Sequence, residues 1–271
     1  MEKLSAFVTT FNNARTLASC LESVQWADEI VLLDSGSTDA TLDIAERYNC
    51  QIFHHPFLGY GKQKQLALSK TTHLWVLLLD ADEALSLDAQ QEIRDLLQNP
   101  HADGYNIPRL EQMFWRMNNP HTRLNKFLRL FRKDKGHITD MPIHAAPEID
   151  GAIQSLNSVF YHYGETDIDI KVSKLNAYST GLVKDKVAKG TRPNPWILVF
   201  YPPFYFLRAY FFKRAFMNGW GGFITSFCGA FYVFLKYAKL YEYHQRKRYG
   251  KSMMPPGAPD NPPVYESDKP C

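Results

Sequence analysis

The run Trp75-Val76-Leu77-Leu78-Leu79 carries five apolar residues without a polar break and stops at Asp80. It is too short for a helix, and its lack of alternation predicts a strand covered on both faces of a parallel sheet. The same reading predicts strands over 4–11, 29–34 and 50–55, with helices over 14–24, 39–48, 62–69 and 88–98 between and after them. Strands alternating with helices predict an α/β protein built of βαβ units around a mostly parallel central sheet. Right-handed crossovers then bring the carboxyl ends of those strands to one edge. From about 104 the pattern loosens: "GYNIPRL", "KFLRLFRK" and "AIQSLNSVFYHY" predict further strands, and a helix follows over 167–189. "GTRPNP" (190–195) breaks that helix with Gly and Pro, which predicts a boundary. The expected organisation is an α/β domain over 1–190, a helical region over 191–250 and a proline-rich, disordered tail over 251–271.

The shared edge would collect three polar loops, "TTFNN" (9–13), "DSGSTD" (34–39) and "DADE" (80–83). Ligands of open α/β sheets bind outside the carboxyl ends of strands. An Asp-X-Asp there suits a divalent cation held by hard oxygens and substrate phosphates. The competing reading makes Asp82 a cap of the next helix, with Glu83 as a first-turn acid. In "DSGSTD", Gly36 permits a tight turn ahead of a helix start that could attract phosphate. Neither a Walker loop nor a GxGxxG is present, which excludes the usual P-loop and dinucleotide sites.

Composition changes the picture mainly at the C-terminal end. The 271 residues are 45% hydrophobic with a formal charge of +3, enough apolar material for one sizeable core. Between Arg192 and Lys251, however, ten Lys and Arg face the single acid Glu242, while the rest of the chain holds 21 basic and 27 acidic residues. That asymmetry predicts an anionic partner for the C-terminal region. The dense aromatics of "WILVFYPPFYFLRAYFFKRAF" (196–216) favour a lipid headgroup boundary over nucleic acid. Residues 215–235 form an uncharged stretch long enough to span a bilayer, but it is diluted by glycines and polar residues, so monotopic attachment is the preferred expectation. Over 234–247, Lys236, Lys239, Arg246 and Lys247 fall opposite Phe234, Tyr237 and Tyr241. The cysteines Cys20, Cys50, Cys228 and Cys271 form no CxxC pair, and no apolar leader precedes Asn12, so a reducing cytoplasmic setting is expected.

With "TTFNNARTLASCLESV", "IVLLDSGSTDATLDIA", "GKQKQLAL" and "WVLLLDADEAL" in this order, the chain resembles the family 2 glycosyltransferases over residues 1 to about 165. Adding "RLFRK", "PIHAAPEIDG", "FYHY" and the aromatic region, it is similar to the lipopolysaccharide inner-core β-1,4-glucosyltransferases of the WaaE (KdtX) type. The resemblance implies a GT-A-like fold, a nucleotide-diphosphate-sugar donor, Mg²⁺ or Mn²⁺, and inversion at the anomeric carbon. Carried over by position, Thr9, Phe11, Asn12 and Asp34 would hold base and ribose, with Asp39 shaping that loop. Lys64 would lie near the diphosphate, Asp80 would contact ribose or a metal-bound water, and Asp82 would ligate the metal. His144 and His162 are further candidates for the metal shell. Where relatives place an acidic residue after a His, this chain has Ala145 and Ala146 after His144. Asp140 and Glu148 are therefore the candidate catalytic bases, with loop capping as the alternative for each. Arg129 and Arg132 are candidates for binding an anionic acceptor, against the commoner case of solvated strand arginines.

The expected activity is transfer of glucose from UDP-glucose to a heptose of the lipopolysaccharide inner core, by an enzyme peripheral to the cytoplasmic face of the inner membrane. Two alternatives remain: transfer to polyprenyl phosphate or another glycolipid, and a noncatalytic sugar-nucleotide-binding membrane adaptor.

Overall fold

A computed structural model describes residues 2–140 and 145–249, together with 254, 255 and 257. His144 and nearly all of the 251–271 tail therefore lie outside the described residues. The chain forms two compact units, one of residues 1–112 and 124–164, the other of 113–123 and 165–271.

The first unit opens with β1 (Leu4–Thr10), α1 (Leu17–Glu22), β2 (Glu29–Asp34), α2 (Thr41–Arg47), β3 (Gln51–His54), α3 (Tyr60–Lys70) and β4 (Trp75–Asp80). Then come β5 (Glu83–Leu85), α4 (Leu87–Leu96), β6 (Gly104–Met113) and, past β7 (Arg116–Met117) of the second unit, β8 (Lys126–Arg132). The small strands β9 (Gly136–Ile138), β10 (Pro147–Ile149), β11 (Ile153–Ser155) and β12 (Phe160–His162) complete it. Strands β3, β2, β1 and β4 run parallel in that spatial order. Beyond β4 the sheet becomes mixed, because β8 is antiparallel to both β4 and β6, and β12 is antiparallel to β5. The strands β1, β2 and β4 are buried on both faces, between one cluster containing Leu4, Leu17, Leu32, Leu77 and Ile93 and another containing Phe7, Leu33, Leu68, Leu78 and Phe131.

Two local expectations need correction. The strand β5 follows Asp82, and α4 starts only at Leu87 with Ser86 as its cap, whose hydroxyl accepts from the Ala89 N–H at 3.1 Å. Asp82 is therefore not a helix cap, since pairing of β5 with β12 holds its backbone in a turn between two strands. The segment read as one strand at 152–163 divides into β11 and β12, both alongside β6.

The second unit contains α5 (Ile168–Ala188), α6 (Pro195–Leu207) and α7 (Gly219–Tyr249). A π turn over Arg208–Phe212 and a 3₁₀ turn over Ala215–Asn218 join α6 to α7. Segment 113–123 belongs here because the Asn119 N–H donates to Asn218 Oδ1 at 2.5 Å and the Arg123 N–H to the Lys213 carbonyl at 3.3 Å. The sequence places a boundary near 190, whereas the compact units divide at 164–165, so α5 sits with α7 against which it packs. Gly222, Ser226, Ala230, Val233 and Leu240 make a buried stripe at helical spacing along α7. Lys239, expected on a free basic face, instead donates to the Asn176 carbonyl and side chain and to the Ser179 and Thr180 hydroxyls of α5 at 2.7–2.9 Å. Among the described residues no helix is long and apolar enough to cross a membrane.

Candidate active site

The first three strands progress from β1 to β3 in one direction, and β4 then returns to the other side of β1. The gap between β1 and β4 is thus a topological switch point, where the loops diverge and leave a crevice at the carboxyl edge. Register fixes what stands there: Thr9 lies beside Asp80, Thr10 beside Asp34, and Asp34 beside His54. A row of polar side chains crosses four strands at the point where each leaves the core.

Asp34 is 1% exposed, and its oxygens accept from the Gly36 N–H at 2.9 Å, the Ser37 N–H at 3.0 Å and the Ser37 hydroxyl at 2.5 Å. Burial alone would raise its pKa, but these hydrogen bonds, with His54 nearby, outweigh it and hold the carboxyl below the ordinary aspartate value. Gly36 makes the turn possible at φ 100°, a conformation that side chains avoid. Asp39 ties this loop to the first one, accepting from the Ala14 N–H at 3.2 Å and the Thr41 N–H at 3.0 Å. Asn12 bonds across the same gap, its N–H to Ser37 and its side-chain oxygen to the Thr38 N–H. Phe11 beside it is exposed. The carboxylates of Asp34 and Asp39 thus shape the loops, leaving Thr9, Phe11 and backbone groups at the rim.

At the end of β4 the charges interlock. Lys64, which α3 brings across the crevice, reaches Asp80 Oδ1 at 2.5 Å. Arg129, 5% exposed, lies 2.6 Å from Glu83 Oε1 and 3.6 Å from Asp80 Oδ2. Burial opposes ionisation of Asp80, but the Lys64 and Arg129 cations prevail and hold it well below the usual carboxylate range. Glu83 also accepts the Asp80 N–H at 3.0 Å, which fixes the turn; burial pushes its pKa upward, opposed by Arg129. Arg129 is therefore a buried residue engaged by Glu83 and Asp80, not a solvated strand arginine. Arg132 is at the opposite edge, paired in register with Trp75 at the start of β4 and bonded to Asp134 at 2.7 Å. Alternation along β8 turned one arginine into the core, and strand direction carried the other away.

His162 lies between two carboxylates, with Nε2 3.3 Å from Asp82 Oδ2 and Nδ1 2.6 Å from Glu111 Oε2. Burial would lower its pKa, yet the Asp82 and Glu111 carboxylates override that and push it up to about 10. At neutral pH it is an imidazolium donating to both. Arg109 grips the far side of Glu111 and stacks over Phe127, 4.1 Å from the ring centroid. Arg109 and Glu111 were not singled out in the sequence, and Glu83 only as a first-turn acid. Their charges sit among apolar strand residues, and that burial was the available signal. Four carboxylates, Asp80, Asp82, Glu83 and Glu111, meet four cations, Lys64, Arg109, Arg129 and His162.

Asp82 and His162 are half-buried, so Asp82 can offer a hard oxygen to a cation at the crevice. Mg²⁺ and Mn²⁺ sites on phosphate substrates need only one or two carboxylates, and Asp82 fits that requirement. His162 Nε2 faces Asp82 Oδ2, so the imidazole stands beside that carboxylate oxygen. Among the described residues no group of three or more His, Cys, Asp and Glu is arranged to hold a metal ion. Asp140 is exposed, 3.7 Å from Lys62 at the start of α3, beside the carboxyl edge. Glu148, on β10, pairs with His137 at 3.9 Å, next to Ile149, whose side chain packs by Gly104 toward the amino edge.

Fold and site together define an α/β protein with a charged crevice at the switch point of its sheet. The chain belongs to the family described as glycosyl transferase family 2, whose profile matches residues 5–148, and its first unit is a GT-A-like fold with a mixed sheet. It is 33% identical over 253 residues to the lipopolysaccharide core biosynthesis glycosyltransferase LpsC of Rhizobium meliloti, covering 90% of this chain and 94% of that one. An uncharacterized glycosyltransferase of Rickettsia felis is 34% identical over 256 residues, covering 89% and 90%. Among solved structures, residues 1–349 of Staphylococcus aureus TarS in complex with UDP-GlcNAc align with a TM-score of 0.46 and 15% identity, covering 90% and 92%. This chain is a glycosyltransferase.

Proposed function

We propose that the protein is an inverting hexosyltransferase that moves glucose from UDP-glucose to a heptose of the lipopolysaccharide inner core, attached peripherally to the cytoplasmic face of the bacterial inner membrane. The observation that carries the transfer reading is the half-exposed Asp82 carboxylate at the switch point, in a turn fixed by the Glu83 bond to the Asp80 N–H and by the ion pairs of Asp80 and Glu83. The acceptor reading is supported by the identity to LpsC along most of both chains. The membrane reading is supported by the exposed aromatics of α6 and α7 in a region with ten basic residues and one acid.

In this reading the loops at Thr9–Asn12 and Asp34–Asp39 receive the nucleotide, with Phe11 offering an aromatic face to the base. Asp82 would hold Mg²⁺ or Mn²⁺ together with the donor phosphates, and the ion when bound stabilises charge growing on the departing nucleoside diphosphate. His162 orients Asp82 by donating to it, and Glu111 fixes the imidazole from behind. Lys64 and Arg129 keep Asp80 ionised and the turn rigid. Asp140 takes the acceptor hydroxyl proton: it is exposed beside Lys62 at the start of α3, by the carboxyl edge, whereas Glu148 pairs with His137 on β9.

Purified protein with UDP-glucose, Mg²⁺ or Mn²⁺ and heptose-terminated core acceptor should release UDP. Asp82→Ala should lower the rate by roughly 10²–10³-fold, the usual effect of deleting one transition-state stabiliser. Failure to turn over any sugar nucleotide would sink the enzymatic reading. Transfer to polyprenyl phosphate but not to core would reassign the acceptor, and a cellular phenotype surviving the loss of transfer in Asp82→Ala would favour an adaptor.

A further inference from the structure

Helices α6 and α7 flank an open-sided cavity of about 590 Å³, within the roughly 300–1,000 Å³ of ordinary ligand pockets. Its walls include Pro202, Pro203 and Phe206 from α6 and Phe223, Phe227 and Phe234 from α7, with no charged residue among them. Ala230, 8% exposed, supplies a small side chain to the wall, and the paired prolines remove backbone donors from α6 where it borders the space. Water gains little in such a space, because it needs two or more polar partners. A rigid ring system would also have to match the aromatic walls, whereas a flexible hydrocarbon chain fills an irregular apolar slot with no hydrogen bonds to satisfy.

Charge selects the kind of molecule to which that chain belongs. Arg208 directly follows the wall residue Leu207, and Lys213 and Arg214 lie in the connection to α7. Lys236, two residues beyond Phe234, sits over the Tyr201 and Tyr237 rings at 6.0 and 4.6 Å. Cations near both ends of an apolar slot match an anionic headgroup joined to an acyl chain. We propose that the α6–α7 cavity binds one acyl chain of an anionic membrane lipid, drawing it out of the bilayer plane. The proposal rests on the membrane reading above and is independent of the transfer reaction.

The test uses the full chain on vesicles of phosphatidylcholine and phosphatidylglycerol, in which the phosphatidylglycerol carries a photoactivatable diazirine at one acyl terminus. After irradiation, peptide mapping should place most adducts on the cavity wall, around Phe206, Phe227 and Ala230. Ala230→Trp, which fills the slot, should cut those adducts at least about fivefold while cosedimentation with vesicles persists, because Phe212 and Trp220 outside the cavity remain 80% and 76% exposed. Adducts spread over Phe212, Trp220 and the cavity alike in the wild-type chain would overturn the proposal, whatever the variant does. So would a cavity free of adducts in a protein that cosediments, or one that light scattering finds as a dimer shielding it. Loss of cosedimentation by the wild-type chain would instead defeat the membrane reading beneath it.

Discussion

His162 illustrates how a single side chain acquires a function from what faces it. An imidazole held between Asp82 and Glu111 has its folded-state pKa raised to about 10, so its stabilising contribution is complete below the ordinary value near 6.5 and is lost as pH rises through about 10. Stability of the metal-free protein should therefore decline between about pH 7 and 10, and His162→Gln should flatten that slope; NMR titration of the imidazole checks the cause directly. Arg129 gives the complementary case. Removing it leaves Glu83 buried without its principal cation, so Arg129→Met should cost about 3–5 kcal/mol in urea unfolding. The position of Asp82 in a turn was readable from the sequence because Asp-X-Asp after an apolar run marks a strand end. Glu111 was not, because its partner His162 is 51 positions away and only the pairing of β12 with β6 brings them together.

Among the elements, β2 and β4 were legible because burial on both faces writes an unbroken apolar run, and β4 begins where that run does and ends one residue beyond it. The strand β5 was not, nor was the division of 152–163 into β11 and β12, since three residues carry no period of their own and exist only through pairing with neighbours. The start of α3 is held to the loop carrying Asp140 by contact of backbone on backbone: a Cβ placed on Gly61 would stand 2.3 Å from the Thr139 carbonyl oxygen. Gly61→Ala should consequently displace that loop, lowering kcat with little change in donor binding; isothermal titration with UDP beside steady-state kinetics separates the two. In the second unit, alternation of aromatic and basic residues on α7 misled about Lys239, whose four acceptors come from α5.

For the molecule as a whole, the excess of basic over acidic residues between Arg192 and Lys251 argues for attraction to an anionic surface, reinforced by exposed aromatics. Raising ionic strength from about 0.1 to 1 M shortens the screening length from roughly 10 to 3 Å. Cosedimentation with phosphatidylglycerol vesicles should weaken severalfold over that range without vanishing, because the apolar contribution is not screened; complete loss would mean that charge alone binds. Family membership, the order of the parallel strands' elements and the acidic turn after β4 were already written in the chain, because each depends on neighbours within a few residues or on the period of burial. Folding in three dimensions assigned the rest: it turned Arg129 inward, sent Arg132 to the far edge, set His162 between two carboxylates and drew 113–123 into the second unit. Those outcomes depend on strand direction and on pairing between distant segments, and local pattern carries no record of either.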